Sequence, residues 1–164
     1  MSAVAPSQQR VLLPMTTLHL DAVMAIEVSA YAFPWSRGNF VDSLASSYIG
    51  RVLYDDAGAI LGYFVAMAGV EEMHLLNITV APRVQHRGHA LFMLDALAAL
   101  CRQRGARQLW LEVRESNQRA RAIYLRHGFV YVGRRKGYYP APKGQREDAV
   151  VMSLAIDGAG HELD

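Results

Sequence analysis

The chain reads as a mixed α/β sandwich, and three observations predict it. Apolar residues recur at helical spacing in four stretches, shorter apolar or alternating runs bounded by Gly, Pro and Asp mark about seven strands, and from His74 onward the two kinds interleave. That order, two early helices, a hairpin-rich half, then strand-helix-strand-helix-strand-strand, belongs to a sheet flanked by helices. No internal repeat or low-complexity linker interrupts it.

The elements follow in order. A short strand near Arg10 to Leu13 precedes Thr16 or Thr17, either of which can cap a helix carrying Leu20, Val23, Met24, Ile26 and Ala30 at helical spacing. Phe33-Pro34-Trp35 ends that helix, and Ser36 starts a second, short one through Phe40, Val41 and Leu44. Gly50 to Tyr54 is a strand that turns at Asp55-Asp56-Ala57-Gly58 and returns as Ala59 to Val70. His74 to Val80 is the fourth strand, followed by a third helix from about Gly88 to Gln103 that Gly105 stops. Gln108 to Arg114 is the fifth strand. Ser116 or Asn117 caps a fourth helix ending at Gly128, and Val130 to Tyr138 and Ala149 to Leu154 complete the sheet.

At 164 residues, 52% hydrophobic and 20% charged, the chain is long enough for one core and short for two, so one domain is expected over residues 1–156. The small, polar segment 157–164 is expected to be a mobile tail. Seventeen basic residues against fifteen acidic ones leave a charge of +2, too little for nonspecific nucleic-acid binding, so no stable nucleic-acid partner is expected. Cys101, the single cysteine, forbids an internal disulfide and falls on the helical stripe Leu91, Leu94, Leu97, Ala98, Cys101, which reads as core rather than as a nucleophile. The amino terminus lacks the basic cluster and apolar run of a secretory signal, and the longest uncharged apolar stretch, Ala57 to Val70, is far short of a membrane span. A cytoplasmic protein with no membrane partner is the expectation.

The segment Ile78-Thr79-Val80-Ala81-Pro82-Arg83-Val84-Gln85-His86-Arg87-Gly88-His89-Ala90 joins a strand to a helix through a glycine-bearing loop. The first N–H groups of a helix lack intrahelical partners and sit at its positive end, so this junction is built to receive a phosphate. Neither the Walker loop nor the dinucleotide fingerprint fits, because the spacing is Gln85-x-x-Gly88-x-Ala90. That spacing, after Val80-Ala81-Pro82, resembles the acetyl-CoA loop of the GCN5-related N-acetyltransferases (GNAT).

Two titratable residues stand out further along. Glu112 interrupts the apolar run Leu109-Trp110-Leu111-Glu112-Val113-Arg114 and shares a face with Trp110 and Arg114; a solvated strand-end carboxylate and a functional one both fit. Tyr124 sits on the apolar side of the fourth helix, where core packing alone would also explain it. With these occur Phe33-Pro34-Trp35-Ser36, Glu112-Val113-Arg114-x-Ser116-Asn117, Tyr124-x-x-x-Gly128-Phe129, Arg134-Arg135-x-x-Tyr138-Tyr139-Pro140 and Glu147-Asp148-Ala149. Together they closely resemble the bacterial ribosomal-protein-alanine N-acetyltransferases, the RimI type of that superfamily, from Leu13 to Ile156.

The resemblance implies a GNAT fold, with a mixed, mostly antiparallel twisted sheet of about seven strands and about four helices. It implies acetyl-CoA as acetyl donor, no metal, and the N-terminal alanine of the eighteenth small-subunit ribosomal protein as acceptor. It assigns the general base to Glu112, the general acid to Tyr124, and cofactor contacts to Ile78, Thr79, Val80, His86, Arg87, Gly88, His89, Ala90, Leu91 and Asn117. Phe33, Trp35, Tyr138 and Tyr139 are expected to wall the acceptor groove. His86, His89 and Ala90 depart from the usual loop, and the two histidines read as solvated loop residues rather than as a metal pair. Arg134, Arg135, Lys136, Lys143 and Arg146 form the densest basic region, open to CoA phosphates, RNA or solvent. A relaxed N-terminal or lysine acetyltransferase and a noncatalytic acetyl-CoA-binding module are the alternative functions.

Overall fold

The computed structural model describes residues 9 to 157. Among these residues seven strands form one sheet: β1 (Arg10–Pro14), β2 (Ile49–Asp55), β3 (Ile60–Gly69), β4 (Glu72–Val80), β5 (Gln108–Arg114), β6 (Val130–Pro140) and β7 (Arg146–Ala155). Four helices pack on it: α1 (Leu20–Ala30), α2 (Arg37–Ala45), α3 (His89–Gln103) and α4 (Gln118–His127). The spatial order is β1-β2-β3-β4-β5-β7-β6. Every pairing is antiparallel except β4 with β5. The mixed, mostly antiparallel sheet expected from the sequence is therefore present. The tail expected over 157–164 lies, beyond Asp157, outside the described residues.

Local chemistry sets the helix boundaries. Thr16 caps a 3-10 turn (Thr17–His19) that leads into α1, with the His19 ring returning a bond to the Thr16 N–H. Ser36 and Asn39 form the same reciprocal box at the start of α2. Asn117 accepts from the Ala120 N–H to open α4, a cap worth ~1 kcal/mol. Helix α3 begins instead at Gly88, whose φ of 82° lies in the left-handed region, and no side chain caps it. Its first N–H groups are left facing outward.

Helices α3 and α4 cover one face over a core that includes Leu94, Leu97, Cys101, Leu109, Leu111 and Phe129, while α1 and α2 cover the other with Leu20, Val23, Phe40 and Tyr63. Cys101 is fully buried, and burial pushes its thiol up to about 11. The last two strands run longer than hydrophobicity indicates. β7 starts at Arg146 rather than Ala149, because Glu147 and Asp148 accept bonds from neighbouring strands and loops instead of ending the ladder. β6 continues to Pro140 after a register shift between Arg135 and Tyr139.

The feature that positions everything functional is the β4–β5 pairing. It runs only from Glu72–Gln108 to Leu75–Leu111. One residue later β4 carries a bulge, since Ala66 pairs with Leu75 and Val65 with Asn77, leaving Leu76 unpaired. Beyond it the outer halves of β4 and β5 separate.

On the other edge of that outer half, Gly62 lies opposite Val80, and a Cβ there would come within 2.4 Å of the Thr79 carbonyl oxygen. Backbone cannot yield as a side-chain tip does. Gly62→Ala is expected to cost about 1–3 kcal/mol and lower the Tm by several degrees in thermal unfolding. An unchanged Tm would mean that β3 and β4 are free to spread there.

Candidate active site

Two pockets open where β4 and β5 part. The larger, of about 580 Å³, runs from the start of α3 between β4 and α4; the smaller, of about 250 Å³, lies between β4, β5, the segment after α1 and the end of β6. Tyr31, Ile78, Asn117 and Tyr124 line both, so the two spaces meet at these residues.

The larger pocket takes Ile78, Thr79, Val80, His86, Gly88, His89, Ala90 and Leu91 from the strand-loop-helix segment. This is the wall expected of a phosphate cradle: free N–H groups at the head of a fifteen-residue helix, with no Cβ at Gly88 to obstruct approach. Arg87 is exposed and is not part of the wall. Arg119 and Arg126 of α4 are, with Arg119 anchored on Gln85 at 2.7 Å. The five-residue basic region on β6, the following turn and the first residue of β7 lines neither pocket. Its Arg134 is instead held by Glu115 at 2.8 Å and Asp148 at 3.3 Å.

The expectation of two solvated loop histidines fails for one of them. His86 is exposed, but His89 is only 2% exposed, because the left-handed turn at Gly88 swings it inward as the first residue of α3. Its Nδ1 lies 3.4 Å from Arg10, whose guanidinium also bonds the Gly88 carbonyl. Burial, and then the Arg10 and Arg87 charges, hold the imidazole below its usual range. Among the described residues no three His, Cys, Asp or Glu side chains converge as a metal-binding group.

The smaller pocket brings Glu112 and Tyr124 into one space with Phe33, Trp35, Tyr139 and Pro140. Burial alternates along β5, so Leu109, Leu111 and Val113 enter the core while Glu112 and Arg114 face the pocket. Glu112 keeps 19% of its side chain exposed, with Arg135 Nε 3.5 Å from its carboxylate. Tyr124 is buried against Phe129, and burial, with the fields of Tyr31 and Tyr139 added, pushes its phenol well above the usual range. Tyr138 is the expected wall residue that the pocket lacks: it is 47% exposed, turned toward Arg135 and edge-on to Tyr139. Consecutive strand residues point to opposite faces, so both tyrosines cannot line one groove.

Arg114 ties the lips of this pocket together. Its guanidinium lies 5.2 Å from the Phe33 ring and 4.6 Å from the Tyr139 ring, and donates to Glu147 at 2.9 Å and to the Pro140 carbonyl at 2.8 Å. Hydrogen bonding from Ser116, assisted by Arg114, holds Glu147 below the usual carboxylate range.

Sequence reasoning missed Glu27, Tyr31, Arg119 and Arg126. Glu27 had a signal, since it falls seven residues after Leu20 on the apolar stripe of α1, and an acidic residue on such a stripe must find partners. Tyr31 had none: its hydroxyl meets Thr79 Oγ1 at 2.7 Å and the Ile78 carbonyl at 3.1 Å across 47 residues of chain. Arg119 and Arg126 are seven apart on α4, which puts them on one helix face but does not say what that face meets.

Comparison with known proteins agrees with this geometry. Residues 20–129 match the model of the acetyltransferase (GNAT) family. The [ribosomal protein bS18]-alanine N-acetyltransferase of Haemophilus ducreyi is 37% identical over 83% of this chain and 93% of its own. That of Escherichia coli K12 is 37% identical over 87% of this chain and 95% of its own. The crystal structure of the ribosomal-protein-S18-alanine N-acetyltransferase from Escherichia coli superposes with a TM-score of 0.84 at 35% identity, over 95% of this chain and 99% of that one. With the left-handed turn that opens α3, the parted strands and these similarities in agreement, the chain belongs to the acetyltransferase (GNAT) family.

Proposed function

We propose that this protein transfers acetyl from acetyl-CoA to the α-amino group of the N-terminal alanine of ribosomal protein bS18, the reaction its relatives are named for. The observation that carries the reading is the meeting of the two pockets at Tyr124, with a phosphate-type loop at one end and a carboxylate among aromatic residues at the other. A bacterial ribosomal protein as acceptor puts the reaction in the cytoplasm.

Acetyl-CoA supplies an electrophilic thioester carbonyl when bound. The phosphates suit the free N–H groups at the head of α3, with Arg119 and Arg126 as cations, and the pantetheine arm suits the outer half of β4, which has no β5 partner. In the smaller pocket an N-terminal amine, with a reference pKa near 8, arrives largely protonated. Glu112 accepts that proton, directly or through one water, and Arg135 orients the carboxylate. The amine nitrogen then bonds to the acetyl carbon as the carbon–sulfur bond breaks, and the second proton the nitrogen sheds as the amide forms passes through water to restore the one that Tyr124 gives up. Tyr124, whose raised phenol stays protonated throughout the working range, offers its proton to the leaving sulfur. The buried Cys101 is in no position to form a covalent intermediate, which agrees with direct attack.

The first test is the intact mass of a bS18 amino-terminal peptide after incubation with acetyl-CoA and enzyme, beside an N-terminally blocked copy bearing the same lysines. One acetyl on the free peptide alone is expected. Acetyl on both would make the protein a lysine acetyltransferase, and on neither, with acetyl-CoA bound, would favour a binding module. Glu112→Gln and Tyr124→Phe are each expected to lower kcat about 10²-fold or more while leaving the acetyl-CoA Kd within about twofold, by steady-state kinetics and calorimetry. A change confined to acetyl-CoA affinity would remove these residues from the chemical step. Ala90→Glu sets an anion at the head of α3 and is expected to weaken acetyl-CoA binding about tenfold. Unchanged binding would place the phosphates elsewhere.

A further inference from the structure

Glu27 is 1% exposed, and among the described residues it has no Lys, Arg or His within ion-pair distance. A buried carboxylate without a cation is costly to keep. Three donors converge on it. Oε2 accepts the Trp35 backbone N–H at 2.9 Å, and Oε1 accepts the Tyr63 hydroxyl at 2.7 Å and Asn77 Nδ2 at 3.2 Å. These belong to the lip of the acceptor pocket, to β3, and to β4 just past its bulge.

The network continues outward. Asn77 Oδ1 accepts from the Thr79 hydroxyl at 2.7 Å, which lies 2.7 Å from the Tyr31 hydroxyl, itself 3.1 Å from the Ile78 carbonyl. Trp35 and Asn77 line the acceptor pocket, Thr79 lines the donor cleft, and Tyr31 and Ile78 line both. One run of hydrogen bonds therefore links the acceptor lip to the strand along which the donor would lie. Burial pushes the Tyr31 phenol up to about 12 and Tyr63 further, so both remain donors at any working pH.

We propose that Glu27 is a positioning residue for the transfer, fixing Trp35 and the outer half of β4 relative to one another so that acceptor amine and thioester meet in register. It rests on the acetyltransferase reading above for its kinetic consequence, but not for its structural one. Glu27 acts through Trp35 and Asn77 and touches no reacting atom.

Glu27→Gln tests it, because the amide keeps the shape but brings an N–H where three donors already point, so one contact must break. The chain has two tryptophans, so a Trp110→Phe background leaves Trp35 as the only indole. In that background the expected results are acrylamide quenching of Trp35 raised about twofold and the peptide KM raised about tenfold. The acetyl-CoA Kd should stay within twofold, and the far-UV circular dichroism unchanged. Glu27→Met, which removes the carboxylate without adding a donor, folds by the same criterion and shows the same kinetic defect. A fall in Tm with Trp35 quenching and peptide KM both unchanged would make Glu27 a purely structural residue and overturn the proposal. If the wild type acetylates no bS18 peptide, the functional reading fails while Trp35 quenching still decides for or against Glu27.

Discussion

The parting of β4 from β5 after Leu75–Leu111 is the constraint on which the remaining architecture depends. A parallel pair that continued to the ends of both strands would seal the sheet and erase both pockets. Backbone groups left without a ladder must find other partners, and unpaired ones are expensive away from water. The protein keeps the gap by tying β4 elsewhere: it stays paired to β3 as far as Gly62–Val80, and the Ile78 carbonyl receives the Tyr31 hydroxyl. The opening is therefore a built feature, held by β3 on one side and, within the ligand spaces themselves, by Tyr31.

From that opening the placement of the functional groups follows. β5 carries Glu112 on the face that looks into the gap, because its neighbours Leu111 and Val113 are committed to the core under α3 and α4. α4 begins just after β5 ends, so Asn117 and Tyr124 stand beside it, and α3 begins at His89 after the loop that follows β4. Strand, loop and helix lengths thus set the spacing between phosphate loop, carboxylate and phenol with little freedom left to the side chains. The aromatic lips are the less constrained part. They come from segments far apart in sequence, and Arg114 joins them through two rings, a carboxylate and a carbonyl.

Much of this was legible in the sequence where the signal is local. Ser36, Asn117, Gly88 and Gly128 mark helix ends through short-range chemistry, and β5 shows its inward and outward faces by simple alternation. The seven strands could be counted, but the bulge at Leu76 could not, since it depends on how β3 pairs across a turn. His89 misled because a polar residue in a glycine-bearing loop reads as solvated, whereas the φ of Gly88 decides its direction. Tyr138 misled because two adjacent tyrosines look equivalent until the strand's pleat separates them. Tyr31 escaped because its partners lie tens of residues away, and Glu27 and Asn77 because their near partners, Trp35 and Thr79, make sense only together with the distant contacts to Tyr63 and to each other.

The solitary cysteine takes on a meaning that its packing alone does not suggest. Transfer from a thioester releases a free thiol at every turnover, beside a protein that must not react with it. Cys101 lies on the buried face of α3 with its thiol near 11, so at pH 8 on the order of one thiol in a thousand would be ionised even if it were reached. Acyl capture from the donor, in which a cysteine sulfur would displace the carrier thiol, is held back by that burial and by the scarcity of thiolate. The chain is in this respect chemically inert toward its own cosubstrate.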